Sequence, residues 1–82
     1  MDDEALLNRI VVDPNILTGK PIINGTRLSV EFILGLLAHG STIDDIVNEY
    51  KGLTSEDVRA CLLFAGESIS RTDFMPLVVE AF

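Results

Sequence analysis

Three stretches of the chain place apolar side chains at spacings of three and four, each opened by a hydroxyl-bearing residue and the first two closed by glycine. That period belongs to helices with one buried face. Ser29 caps the first, in which Val30, Ile33, Leu34, Leu37 and Ala38 recur, Phe32 and Leu36 widen the stripe, and Gly40 ends the run. Ser41-Thr42 opens the second, a short helix with Asp44 and Asp45 where the helix dipole favours them and Ile43, Ile46, Val47 and Tyr50 on one face. Gly52 stops it. Thr54-Ser55-Glu56-Asp57 then forms an approximate capping box, the acid three residues after the cap reaching back to a free amide. The third helix runs from about Ser55 toward Ser68 and carries Val58, Cys61, Leu62, Ala65 and Ile69, with Leu63 and Phe64 as a second apolar flank. A helix this apolar all round is expected to be buried on two sides.

Upstream the pattern changes. Arg9 to Val12 is β-branched and apolar and is broken by Asp13-Pro14-Asn15, which predicts a short strand, and a second is predicted at Pro21-Ile22-Ile23. Thr18-Gly19-Lys20 supplies a flexible turn between them, and Asn24-Gly25 marks a tight turn in which both residues tolerate positive φ. The expectation is a mainly α fold. A three-helix helix-turn-helix core over 29–69 follows a short β-hairpin or arm over 9–27 and precedes an apolar tail over 71–82, all in a single domain, 1–82.

Composition narrows what such a core does. At 82 residues a monomer buries roughly 60–65% of its unfolded surface. A mean hydropathy of +0.36 on so small a body leaves apolar groups for another chain to cover, and a homodimer is expected. A single cysteine, Cys61, excludes an intrachain disulfide and fits a reducing compartment. Met1-Asp2-Asp3-Glu4 is acidic where a secretory signal is basic, and no apolar run has the length of a membrane span, so a cytoplasmic protein without membrane contact is expected.

Two helices joined by Tyr50-Lys51-Gly52-Leu53 match the helix-turn-helix layout, whose second helix enters the DNA major groove. A plain three-helix bundle with a capping glycine fits the same spacing. If DNA is bound, the candidates are Lys20, Arg27, Lys51 and Arg59 as phosphate contacts, doubled in a dimer, with Thr54, Ser55 and Arg59 exposed at the start of the third helix. Against this, the net charge is −7, and Glu56 and Asp57 stand beside those residues where they repel phosphate.

The residues do not assemble a catalytic constellation, and no enzyme, cofactor, metal or small-molecule substrate is expected. His39 precedes Gly40 at a helix end, where its charge suits the dipole. Cys61 lies in an apolar stripe and reads as core. Gly25-Thr26-Arg27 lacks the lysine and spacing of a phosphate-binding loop. The pairs Asp2-Asp3, Asp44-Asp45 and Glu56-Asp57 sit at a terminus or at helix starts, where dipole and capping account for them. The tail offers Phe74, Met75, Leu77, Val78, Val79 and Phe82 as anchors for its own core or a partner's groove, and the partner is favoured.

The block Gly19-Lys20-Pro21-Ile22-Ile23-Asn24-Gly25-Thr26-Arg27-Leu28-Ser29-Val30, followed by Leu37-Ala38-His39-Gly40, Glu49-Tyr50 and Leu53 to Ala60, resembles the domain-of-unknown-function 433 family. The resemblance covers about Arg9 to Glu67. It implies a small bacterial protein with a helix-turn-helix of homeodomain-like or winged type. It also implies a dimeric antitoxin that neutralises a PIN-like ribonuclease toxin and contacts operator DNA as a second activity. The chain departs from the family pattern at two places: the acidic start Glu56-Asp57, and Lys51-Gly52 after Tyr50 where relatives often place a proline. A DNA-binding regulator without a toxin, and a bare dimerisation module, are the alternative readings.

Overall fold

The computed structural model describes residues 2–70. It is mainly helical: α1 (Asp3–Leu7), β1 (Ile10–Val12), a 3-10 turn at Leu17–Gly19, β2 (Pro21–Ile23), α2 (Val30–Ala38), α3 (Ile43–Glu49) and α4 (Ser55–Ser70). The expected hairpin and three-helix core are both present. The tail residues 71–82, with Phe74, Met75, Leu77, Val78, Val79 and Phe82, lie outside the described residues.

Helix α1 was not anticipated from the sequence. The Asp2 side chain accepts the Ala5 amide at 2.7 Å and holds the first turn, with Asp3 and Glu4 at the dipole's positive end. Only five residues long, it depends on packing against α4 for its stability, with Leu6 and Ala60 both buried.

The strands pair antiparallel with Ile10 opposite Ile23, Val11 opposite Ile22 and Val12 opposite Pro21. The return between them is a defined left-handed turn rather than a flexible one: Leu17, Thr18 and Gly19 have φ of 50°, 54° and 83°. It is closed by bonds from the Gly19 amide to Ile16 and from the Lys20 amide to Leu17. At Asn24-Gly25 only Gly25 takes a positive φ, and the Thr26 amide closes the turn on the Ile23 carbonyl. That is type II geometry, with glycine at the one position that requires it.

The helix ends follow their capping chemistry. Ser29 accepts the Phe32 amide at 2.9 Å to start α2. Gly40 and Ser41 donate back to Leu37 and Leu36, a Schellman closure made possible by the φ of 106° at Gly40. Thr42 and Asp45 exchange side chain and amide in a complete capping box at the start of α3.

The core is built from Ile23, Val30, Ile33, Ile46, Leu53, Val58 and Cys61. One side chain from the sheet, one from the turn between α3 and α4 and the inner faces of the three later helices thus meet in one cluster. The expectation that α4 is buried on two sides holds for Asp57, Val58, Ala60 and Cys61 but not for its later turns. Among the described residues Leu62 is 46% and Ile69 67% exposed.

Candidate functional site

The turn between α3 and α4 is shaped by two residues with different duties. Gly52, at φ 95°, allows the backbone to reverse. Leu53 is buried in the core and its amide donates to the Tyr50 carbonyl, so the turn is anchored from beneath. Tyr50 also meets Phe32 of α2 edge to face, ring centroids 5.8 Å apart, which fixes the end of α3 against α2.

At the start of α4 a second capping box is formed. The Asp57 amide donates to the Thr54 hydroxyl at 3.2 Å, and the Thr54 amide donates to Oδ2 of Asp57 at 3.0 Å. The other oxygen of Asp57 accepts from the Arg9 guanidinium at 3.0 Å. Asp57 is therefore a buried, charge-compensated cap, and its charge does not face outward as the sequence suggested. Glu56 holds its carboxyl below the usual range mainly through its own backbone amide, then through Ser55 and the more distant Arg9 charge. Sequence reasoning missed Arg9 as part of this site, because no local pattern links it to a residue 48 positions away.

The candidate DNA contacts separate into groups. Lys51, Thr54, Ser55 and Arg59 come together at the turn and first turn of α4, all exposed. Thr54 is engaged in its cap, and the Ser55 hydroxyl donates to Glu56 at 3.3 Å. Lys20 lies elsewhere, at the entrance to β2, and pairs with Glu31 at 2.9 Å on an exposed surface. Arg27 is exposed beside the hairpin loops, along a groove shared with Val11, Asp13 and Ile16.

Two residues with chemical potential are occupied structurally. His39 caps the end of α2 and its Nδ1 donates to the Gly35 carbonyl at 2.7 Å. Cys61 is fully buried, and burial, aided by the Asp57 charge, pushes its thiol up to about 11. A thiol so protonated at neutral pH is a poor nucleophile. Among the described residues no helix is long and apolar enough to cross a membrane.

Residues 10–65 match the sequence model of a family described as protein of unknown function (DUF433). The chain belongs to the DUF433 family. An uncharacterized protein of Sinorhizobium fredii, y4eO, is 30% identical over 66 residues, 79% of this DUF433 chain and 30% of that relative. The chain thus spans under a third of that relative's length. The crystal structure of a DUF433 member from Anabaena variabilis superposes with a TM-score of 0.73 at 25% identity, covering 83% of this chain and 67% of the other. The family match begins at Ile10 and ends at Ala65, so it takes in Asp57 but not Arg9, nor the last turn of α4.

Proposed function

We propose that the chain is the antitoxin-like member of a type II toxin-antitoxin pair. In the cytoplasm it binds and neutralises a PIN-like ribonuclease, and as a homodimer it contacts operator DNA through α3 and α4. It works by binding alone, with no catalysis, cofactor or small-molecule substrate.

The observation that carries this reading is a division of the surface. The start of α4 offers Lys51, Ser55 and Arg59 to solvent while Asp57 is turned inward onto Arg9. Elsewhere acidic side chains dominate a chain of net charge −7, and Val12, Leu62 and Ile69 remain exposed. An acidic, partly apolar surface suits a basic RNA-cleaving partner, whose association it speeds and whose substrate channel it screens. The tail residues Phe74, Met75, Leu77, Val78, Val79 and Phe82 add apolar anchors for that partner.

A DNA-binding regulator without a toxin is the second reading, favoured by the inward turn of Asp57. Co-expression with the product of the adjacent reading frame separates the two. The antitoxin reading expects relief of that product's toxicity and a complex that weakens with salt. A harmless neighbour that forms no complex, together with operator binding lost in Arg59→Ala, leaves the regulator.

A further inference from the structure

The outer face of α2 carries an open groove of about 520 Å³ along Phe32, Gly35, Leu36 and His39. Leu36 also lines a hollow of about 160 Å³ against α3, with Asp45, Glu49 and Tyr50, so that the two form one strip. Phe32 is 41% exposed, and its ring is held in place by the edge-to-face contact with Tyr50.

Two residues of the strip run against the preferences of their own helices. Gly35 lies inside α2, where glycine weakens a helix relative to alanine. Among the described residues a β-carbon there would meet nothing within 4 Å outside its own stretch of helix. Glu49 occupies the last turn of α3, where the dipole favours a cation. That turn holds no basic residue, and Glu49 has no ion-pair partner among the described residues. Local rules broken without compensation inside the fold are expected where a second body binds. The absent side chain lets another backbone approach α2 closely, and the unpaired carboxylate favours a cation from outside.

We infer that this strip seats a basic amphipathic helix of a partner protein. From Phe32 to His39 α2 rises about 10.5 Å, room for apolar anchors spaced three and four apart to straddle Gly35 and pack on Phe32 and Leu36. A lysine or arginine on the same helix would reach Glu49. Charge decides the occupant: Lys20 at the groove's edge is paired with Glu31 at 2.9 Å, and Asp45 and Glu49 leave the strip negative. An acidic segment is repelled, and a second copy offering the same strip would oppose like charges. The inference rests on the antitoxin reading for the basic character of the partner and adds where on the chain that partner is held.

The probe is a synthetic peptide of leucine and lysine at helical spacing, about four turns long so that a helix can form. Its twin carries glutamate in place of lysine. Titrated into the full chain, the lysine peptide should shift amide resonances chiefly at Phe32 to His39 and Asp45 to Tyr50. Phe32→Ala should weaken binding at least about tenfold, and Glu49→Gln should weaken it about threefold at low salt and not at high salt. Gly35→Leu fills the groove at a helical position with open space, so it should raise the thermal midpoint while abolishing binding. If Phe32→Ala disturbs the fold through Tyr50, Gly35→Leu decides. Shifts centred elsewhere, binding that survives Gly35→Leu, or equal binding of the glutamate twin overturns the inference. So do concentration-dependent shifts at the same amides with a dimer mass and no peptide, which would make the occupant a second copy. A peptide that misses the strip removes this inference even where the neighbouring gene product is neutralised, whereas a seated peptide with an unneutralised neighbour removes the antitoxin reading alone.

Discussion

The guanidinium of Arg9 and the carboxylate of Asp57 meet at 3.0 Å across 48 positions of sequence, while the second oxygen of Asp57 holds the Thr54 amide. One carboxylate thus fastens the N-terminal arm to α4 and also starts that helix.

Removing it should cost more than either duty alone. Asp57→Ala is expected to lower stability by about 2 kcal/mol, about half from the lost cap and the rest from Arg9 left without its partner, discounted for the third of that side chain open to solvent. Arg9→Ala keeps the cap but strands a carboxylate only 10% exposed, with an expected loss of about 1 kcal/mol. Urea unfolding of both singles and the double variant measures the coupling. Equal losses for Asp57→Ala and for Ala at the exposed Asp44 would reject the dual role.

Glycine to alanine should act with opposite sign at two sites that both have open space around the added carbon. At Gly52, φ 95°, alanine is strained and should lower stability by about 1–2 kcal/mol. At Gly66, inside α4, it should raise stability by about 0.5–1 kcal/mol. Thermal midpoints moving in opposite directions are the expected result.

Asp45 has its carboxyl held below the ordinary value of 3.8, first by the Thr42 amide and then by the Thr42 hydroxyl. A lowered acid contributes stability that is present above its unfolded value and lost as pH falls through its folded one. Stability should therefore fall below about pH 4, and Asp45→Asn should flatten that acid limb while leaving the slope near neutrality unchanged.

The raised Cys61 thiol has the reverse consequence at the alkaline end. Between its ordinary value of 9.0 and about 11 the unfolded chain ionises while the folded one does not, so stability falls with rising pH across that window. Cys61→Ala should remove this slope, though the cavity lowers the whole curve. At pH 8 an aromatic disulfide reagent should label Cys61 only as fast as the protein opens. Immediate labelling would contradict its burial.

Much of this fold is written locally. The caps at Ser29, Thr42 and Thr54, the glycines at 40 and 52 and the three-and-four spacing each depend on neighbours within a turn, and α2, α3 and α4 follow them closely. The grouping of Lys51, Ser55 and Arg59 was legible for the same reason. What was not legible depends on distance or on packing. Helix α1 is too short to show a period, and Arg9 reaches Asp57 only after the arm lies on α4. The left-handed Leu17 and Thr18 run against residue preference, a β-branched side chain above all, and the bonds closing that turn are not legible in the sequence. Lys20 reads as a free cation in sequence and is paired because β2 delivers it to α2.

The sheet has a consequence for how the protein comes apart. Two strands of three residues cannot persist alone in water. Ile23 belongs at once to the ladder and to the cluster formed by α2, α3 and α4. Local opening therefore has no seam along which to release the hairpin while keeping the bundle. Arm and helices form one cooperative unit, and the most protected point of the arm opens only when the whole domain does.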